Sequence, residues 1–509
     1  MSMFASIYVG SYETILKVFD KRNSSQIKEI DCQRFPVGIV QDIYHTGEIS
    51  SDTIQKLADI LGNMSDTVDM YRISSMDVYA GPTVGKASNY LLAERLVRGK
   101  SRVEMKLLSN SEQRFLSYMA VASMADFDKY ISKSAVLVDI GGASLQITLF
   151  INGKVETTQH INIGTAIMRE NLRRLSHYID RKDQILQIMN KEIGGFINMY
   201  VPRDVEIENL IILEDNLTSI ITELSGISDD TFIQSDEYVQ ILDDIRNINH
   251  SDSDDIYNIG INDSDILDSL ILFHKALVEN FQPKYIFTQN VSVNEGMAYN
   301  YYMKTKDFKV KHDFNQDILT AAWAIARRYN SYQPHLKALE YVCSGIFNST
   351  RKYHGLENRC KLLLSCVAIL HDCGKYISIS QAADCSYSII MNSEILGLTH
   401  HEREIIATTV KYAAVPMDSY ELMADRFSEK EYIDIMRMVA IFKVANALDR
   451  SHRQKFKNIK VEVKKNELVI SVEAKDSLSL EKGMFEKSAD FFEKVFDLRP
   501  VVKEKRVLK

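Results

Sequence analysis

The sequence lacks any run of about 18 consecutive apolar residues, the length that a membrane-spanning helix requires. Its first ten residues, MSMFASIYVG, have no basic region followed by an apolar core and a cleavage site, as a secretory leader would. The six cysteines include no CxxC pair, which argues against a disulfide framework or a common zinc motif. We therefore expect a cytoplasmic protein without a membrane partner, whose thiols are reduced and mostly in the core.

The chain also lacks an excess of positive charge. Its formal net charge is -8, and this argues against nucleic acid as a partner because a phosphate backbone requires a basic face. Hydrophobic residues make up 45% and charged residues 26%, which is typical of a globular protein. Because 509 residues exceed what one core can organise, about two to four domains are expected.

The order of predicted elements divides the chain further. Strands and helices alternate up to about residue 300, which indicates two α/β units, and the Asn152-Gly153 pair predicts a hairpin in the second of them. Apolar residues then follow helical spacing, until a period-two pattern around Lys465-Asn466 predicts a small hairpin. The predicted domains are residues 1–126 and 127–304 (α/β), 305–455 (helical) and 456–509 (small α+β).

One segment points to chemistry. In VLVDIGGASLQITLF (Val136–Phe150), an apolar strand ends in Asp139 and a Gly141-Gly142 pair before a second strand begins. Residues without side chains let a phosphate approach backbone N–H groups, and a carboxylate at a strand end can hold a metal or orient water. A tight turn between two strands gives the same pattern without phosphate, and local chemistry leaves the two readings equal.

The segment resembles the second phosphate motif, DIGGGST-E, of the exopolyphosphatase and guanosine pentaphosphate phosphohydrolase family, which belongs to the actin-like ATPase superfamily. Four other segments resemble family landmarks in the same order: Ile7–Asp20, Val78–Asn89, Leu107–Val121 and Val291–Tyr302. The resemblance implies duplicated actin-like (ribonuclease H-like) α/β domains, then an all-α HD-like domain and a small α+β domain. It also implies a bacterial, cytoplasmic homodimer that acts on polyphosphate or guanosine pentaphosphate with Mg2+.

Functional residues follow from the resemblance only where the motifs match. The phosphate would be bound by the two hairpins, and Asp139 would hold a metal or a water. The matching phosphate-binding residues are Gly10, Ser11, Gly141, Gly142 and Ser144.

Other positions depart from the family. The water-activating Glu aligns with Gln113, and an amide cannot accept a proton near neutral pH. Glu112 is the candidate substitute base, although its spacing from Ser109 is that of a helix capping box, which is the preferred reading. The remaining departures are Tyr8 and Gln146 for acidic residues, Gly85 and Asn294 for arginines, and Glu214-Asp215 for a Gly-Gly turn.

Because the sequence lacks two arginines that bind phosphate in the family, other cationic side chains would have to replace them. Lys86 and Arg114 could supply them, but for both residues a solvated surface role is preferred. We therefore keep two classes of function for this site. One is a phosphoanhydride hydrolase with Asp139 and Glu112 as its catalytic groups, and the other is a non-hydrolysing protein that binds a ligand or a partner.

A second candidate site lies in the helical region. His371 and Asp372 of the HDCGK segment, together with His335 upstream, resemble ligands of the HD phosphohydrolase domain, where two histidines and two acids bind a divalent metal. The last acid is Asn446 here, and Asp449, one turn later, could replace it. Imidazole and carboxylate together suit a transition metal. A structural, metal-free role is preferred, and a metal-dependent phosphohydrolase is the alternative.

Overall fold

A computed structural model of the chain describes residues 3–141, 144–165, 181–214, 217–218, 220–222, 231–247, 264–289, 291–305, 308–474 and 476–506. It divides into two compact units, Met1–Phe314 and Asn315–Lys509. Each unit is described by itself.

The first unit begins with a five-stranded sheet. Its strands are β1 (Phe4–Val9), β2 (Glu13–Lys21), β3 (Ile27–Pro36), β4 (Met76–Ala80) and β5 (Lys106–Leu107), in the order β3-β2-β1-β4-β5. The first three strands are antiparallel, whereas β4 is parallel to both β1 and β5. The helices between them are Ile39–Thr46, Ser51–Met70 and Tyr90–Ser101, and a short 3-10 helix spans Val84–Lys86.

The second sheet of this unit repeats the same plan. Its strands are β6 (Ser134–Ile140), β7 (Leu145–Ile151), β8 (Lys154–Ile161), β9 (Asn209–Leu213), β10 (Ile233–Gln234) and β11 (Tyr285–Gln289), in the order β10-β11-β9-β6-β7-β8. Again the first three strands are antiparallel and the fourth is parallel to the first. The helices are Asn110–Ala122, Phe127–Tyr130, Arg181–Tyr200, Ser235–Asn247, Ser264–Phe281 and Val293–Met303. The matching strand order supports a duplicated α/β architecture.

Local sequence explains several of these elements. The predicted turn between β7 and β8 is confirmed, and both of its residues are left-handed, with φ of 52° at Asn152 and 72° at Gly153. Helix Asn110–Ala122 begins at the predicted capping box, in which the Ser109 hydroxyl accepts the Glu112 N–H. These short-range signals fix where the elements start and turn.

Two helices of the first unit approach each other unusually closely at Gly296. A Cβ atom placed on Gly296, in helix Val293–Met303, would lie 2.0 Å from the carbonyl oxygen of Leu116, in helix Asn110–Ala122. Only glycine permits this backbone contact. The contact fixes the position of helix Asn110–Ala122, which carries Gln113 and Arg114.

The second unit is helical, with a small sheet near its end. Its helices are Phe314–Arg328, Gln333–Ser349, Arg351–His354, Asn358–Leu370, Ala382–Asn392, His400–Ala414, Glu429–Leu448 and Ser479–Phe496, with 3-10 turns at Cys373–Tyr376 and Tyr420–Leu422. The first of these helices starts at the last residue of the first unit. The sheet has the order β12 (Phe456–Lys464), β13 (Glu467–Ala474) and β14 (Arg499–Arg506). The predicted hairpin at Lys465-Asn466 is confirmed, and both residues have positive φ.

Only half of the cysteines are buried, whereas most of them were expected to lie in the core. All six cysteines are free thiols, and Cys343, Cys366 and Cys373 are buried. None of the helices in the described parts of the chain is long and apolar enough to cross a membrane.

Candidate functional site

The first hairpin turns at Gly10, whose N–H donates to the Glu13 carbonyl at 2.8 Å. Tyr8, at the end of β1, packs its ring edge against Gly81, since a Cβ on Gly81 would lie 2.4 Å from the Tyr8 hydroxyl oxygen. The same position is 3.6 Å from Oε1 of Gln113. An aromatic ring and an amide therefore occupy this part of the site, where the resemblance places two carboxylates.

The second hairpin turns in the same way. The Gly141 N–H donates to the Ser144 carbonyl at 2.9 Å, and the Thr165 N–H donates to the Gly141 carbonyl at 3.2 Å. Gly142 lies outside the described residues. In both hairpins the described glycine N–H closes the turn, so Gly10 and Gly141 would help a ligand mainly by leaving room for its approach.

Asp139 is the second-last residue of β6 and lies directly opposite Gln146 on β7. Its Oδ2 atom is buried, and within the described part of the chain it has no hydrogen-bond partner. Burial raises the pKa of Asp139 above its usual value, while the nearby Arg114 guanidinium acts to lower it. A buried carboxylate with an unused oxygen can accept a ligand proton or a cation.

Arg114 corrects one expectation from sequence. The surface role preferred for it is wrong, because Arg114 is only 7% exposed and its Nη2 donates a hydrogen bond to Oγ of Ser144 in the second hairpin. The helix start at Ser109 places Arg114 five residues along helix Asn110–Ala122, on the face that packs inward. Lys86, by contrast, is exposed, as expected. A guanidinium thus belongs to the candidate phosphate site.

Glu112 is held at the start of its helix. Its Oε2 accepts the Ser109 N–H at 2.8 Å and the Ser109 hydroxyl at 2.6 Å, which completes the capping box. The preferred capping role is therefore confirmed. Catalysis by Glu112 stays a prediction, and it would require the carboxylate to leave these two donors.

Asn294 and Gly85, which stand at the positions of the two missing arginines, are both closely packed against other residues. The Asn294 side chain is fully buried, and its Nδ2 donates to the Ser6 carbonyl at 3.0 Å, the Ser6 hydroxyl at 2.9 Å and the Ile15 carbonyl at 3.3 Å. Gly85 packs against Leu107, since a Cβ there would lie 2.5 Å from a Leu107 methyl group. Neither position has room for an arginine without rearrangement.

Asn294 therefore gives a stability prediction. Replacing Asn294 by leucine should destabilise the protein by about 2–3 kcal/mol, because the buried acceptors on Ser6 and Ile15 lose their donor. Chemical denaturation would measure the change, with the exposed helical residue Asn63→Leu as control. Equal stability of the two variants would contradict the assigned role of Asn294.

At the end of β9, Glu214 is buried, and its Oε2 accepts the Leu217 N–H at 2.7 Å. The strand register places the preceding residue, Leu213, opposite Asp139. Asp215, the second acid of this pair, lies outside the described residues. The Glu214 carboxylate is thus committed at least in part to the local backbone.

In the second unit, His335 and Asp449 form a buried pair. The two atoms His335 Nδ1 and Asp449 Oδ2 are 2.8 Å apart, and both residues are almost completely buried. A carboxylate only accepts, so Nδ1 of His335 carries a proton and donates it to Asp449, while Nε2 takes no part in this pair. Burial acts to raise the pKa of Asp449, but hydrogen bonds from His335 and Gln454 lower it. The pair fixes the orientation of the His335 ring.

The free nitrogen of His335 faces a cluster of possible ligands. One ligand atom each from His335, His371 and Asp372 lies within 4.8 Å of the others; we call these three residues the histidine cluster. His335 Nε2 is buried and has no hydrogen-bond partner among the described residues. Burial lowers the pKa of His371 to about 4, although Asp372 acts to raise it, so the imidazole is neutral near pH 7. Neutral imidazoles are the form that binds metals.

Asn446 adds an oxygen to the same region. Its Oδ1 is buried without a partner in the portion that the structure describes. It lies on helix Glu429–Leu448 between Phe442, whose ring centroid is 5.1 Å from that of His371, and Asp449, which contacts His335. We infer from this spacing that Asn446 faces the histidine cluster.

Sequence reasoning missed two neighbours of the histidine cluster. The His452 ring stacks on His335 with centroids 3.6 Å apart, and its backbone is left-handed, with φ of 55°. Lys375 donates from Nζ to Asp372 Oδ2 at 2.7 Å. The HDCGK spacing could have indicated Lys375, three residues after Asp372, but the stacking of His452 depends on a backbone conformation that no local pattern signals.

Comparison with known proteins gives the family. The model for the Ppx/GppA phosphatase family matches residues 18–305, and the model for Ppx/GppA phosphatase domain III matches residues 320–487. Since the first match alone covers more than half of the chain, the protein belongs to the Ppx/GppA phosphatase family.

Solved structures share the fold at low identity. An exopolyphosphatase from Cytophaga hutchinsonii has a TM-score of 0.50 and 12% identity, with 60% of this chain and 100% of that chain covered. A family member from Aquifex aeolicus has a TM-score of 0.48 and 14% identity, with 59% and 98% covered. The predicted actin-like α/β fold, followed by a helical region, is confirmed.

Proposed function

We propose that the first unit binds inorganic polyphosphate or guanosine pentaphosphate at its two hairpins and hydrolyses it slowly or not at all. The observation that carries this proposal is the arrangement of Glu112 and Gln113. The Glu112 carboxylate is engaged by Ser109, and an amide stands at the position of the water-activating base. A site that can hold a phosphate but has no available base there favours binding over turnover.

Ligand contacts would come from side chains more than from the glycine N–H groups. Ser144 and Arg114 lie at the second hairpin, and Ser11 lies in the turn of the first. Charge-assisted hydrogen bonds from a guanidinium to phosphate oxygens are among the strongest in proteins. Such contacts recognise the phosphate chain itself, which polyphosphate and guanosine pentaphosphate share.

The residues present do not fit a resident magnesium ion at Asp139. Mg2+ requires near-octahedral oxygen ligands, usually including one or two carboxylates. Here Arg114 offsets the charge of Asp139, and Glu214 is bonded to Leu217. Within the described residues, the histidine cluster of the other unit is the sole close group of three His, Cys, Asp or Glu side chains, so no such group surrounds Asp139. The proposed binding therefore has no step that passes through Mg2+.

The proposal can be tested by measuring binding and turnover together. Tripolyphosphate and guanosine pentaphosphate should raise the melting temperature, by an amount equivalent to about 2.7 kcal/mol at a hundredfold excess over Kd. Phosphate release should be no faster than that of the variant Asp139→Asn, prepared in parallel to detect contaminating phosphatases. Release that disappears in this variant would instead support a hydrolase in which Glu112 or another group acts as base.

A second candidate function is favoured by the free Nε2 of buried His335. The residues of the histidine cluster fit a divalent transition metal, since two imidazoles and a carboxylate are a common ligand set. His335, His371 and Asp372 would hold the ion, and Asp449 would orient His335 through Nδ1. A metal bound there would polarise a phosphoester or lower the pKa of a water, as in HD-type phosphohydrolases.

A further inference from the structure

We propose that Arg114 supplies the positive charge that binds the phosphate anion, so that ligand binding by the first unit does not require a divalent cation. This inference rests on the proposed function of the two hairpins. It adds the residue that recognises the ligand and a binding condition that differs from the Mg2+ implied by resemblance.

The burial of the Arg114 guanidinium favours a bound anion. Arg114 is 7% exposed and Ser144 is 8% exposed, so their hydrogen bond is almost removed from water. An arginine remains charged in any protein environment, and a buried charge is costly unless anions offset it. Asp139 offsets part of this charge, as the influence of Arg114 on its pKa indicates. The site is thus already organised around a cation.

The position of Arg114 at the second hairpin also favours a contact with phosphate. Arg114 bonds to Ser144, three residues after Gly141 in the second hairpin, and its neighbour Gln113 lies beside Gly81 and the first hairpin residue Tyr8. A phosphate entering at the second turn would meet the Ser144 hydroxyl and the guanidinium together. The planar guanidinium fork matches two oxygens of one phosphate group.

Arg114 also compensates for the two arginines of the family that this sequence lacks. The positions of the two family arginines are filled by Gly85 and Asn294, which pack against Leu107 and Ser6 and provide no charge. Arg114 provides one fixed cation at the site. A divalent ion next to this guanidinium would be repelled, because like charges at close range oppose each other strongly in a partly dry site.

The experiment is isothermal titration with tripolyphosphate, in EDTA and in Mg2+, on the full chain and its variants. The wild-type Kd should agree within about twofold between the two conditions, while Arg114→Gln should weaken binding at least tenfold, as the loss of a charge-assisted contact implies. Arg98→Gln is the matched control. Arg98 is an exposed arginine paired with Glu104, and its loss should leave Kd unchanged.

Asp139→Asn provides a second test that remains valid if Arg114→Gln does not fold. The Asp139 carboxylate competes with a phosphate for the positive charge of Arg114. Removing this carboxylate should therefore strengthen tripolyphosphate binding severalfold in EDTA. If Asp139 instead held a magnesium ion, the same variant would lose binding.

The outcomes separate the two proposals. Wild-type binding that requires Mg2+ and is weakened by Asp139→Asn would overturn the role of Arg114 and leave the phosphate-binding function in place. Unchanged binding by folded Arg114→Gln would also overturn it. No binding of tripolyphosphate or guanosine pentaphosphate by the wild type, with or without Mg2+, would overturn the proposed function and this inference with it.

Discussion

Replacing Gly296 by alanine should destabilise the first unit by about 3 kcal/mol or more, at the upper end of the cost of overpacking a core. The added Cβ would lie 2.0 Å from the Leu116 carbonyl oxygen and 2.5 Å from its carbonyl carbon. These are backbone atoms of helix Asn110–Ala122, so no side-chain rotation relieves the overlap. The helices must separate, which moves Gln113 and Arg114 away from the hairpins.

Denaturant unfolding would measure the effect, with Gly99→Ala as the matched control. Gly99 lies in helix Tyr90–Ser101, and a Cβ there has no atom within 4 Å. Alanine should stabilise that position by about 0.5–1 kcal/mol, because it loses less backbone entropy than glycine. Gly296→Ala also should weaken tripolyphosphate binding in whatever fraction remains folded. A folded Gly296→Ala variant with wild-type stability would show that the helices do not approach this closely.

The parts of this fold that sequence could predict are those set by nearby residues. Asn152-Gly153 and Lys465-Asn466 specify tight turns because both residues of each pair adopt positive φ. Ser109 with Glu112 specifies a helix start because each side chain satisfies the other's backbone N–H. Motif order then identified the actin-like arrangement without any distance information.

The parts that sequence could not predict depend on contacts between distant segments. Arginine side chains are mostly exposed in folded proteins, so a surface position was the reasonable expectation for Arg114. Arg114 is buried through contacts with distant segments, since its guanidinium bonds to Ser144 and its helix lies against Gly296. The replacement of an arginine by Asn294 was visible in sequence, but its three hydrogen bonds to β1 and β2 were not.

The same distinction applies to the histidine cluster. The resemblance to the HD phosphohydrolase domain predicted that His335, His371 and Asp372 would meet, and their ligand atoms do lie within 4.8 Å of one another. It did not predict that Asp449 would accept a hydrogen bond from Nδ1 of His335. A carboxylate in this position orients the imidazole ring and does not bind the metal itself. As a ligand of the metal, Asp449 stays a prediction that this geometry does not favour.

Asn446→Asp should make the stability of the protein depend strongly on a metal bound at the histidine cluster. In EDTA the new carboxylate would place a negative charge where the buried Oδ1 of Asn446 has no hydrogen-bond partner among the described residues, so the variant should lose about 1–3 kcal/mol relative to wild type. With Mn2+ or Zn2+ present, two imidazoles and two carboxylates would surround the ion. Metal affinity should then rise tenfold or more, and the melting temperature should exceed that of the wild type in the same metal.

The change from lower stability in EDTA to higher stability in metal can be measured by thermal melts under both conditions. Elemental analysis of the dialysed protein would show whether metal is bound. Asn348→Asp is the control, since Asn348 is exposed on helix Gln333–Ser349 and the same change there should matter by less than about 0.5 kcal/mol. Adding His371→Ala to Asn446→Asp should abolish the metal-dependent rise, because one imidazole ligand is removed. If Asn446→Asp melts alike with and without metal, the cluster is a packed polar core of the helical unit, and its chemistry belongs to folding alone.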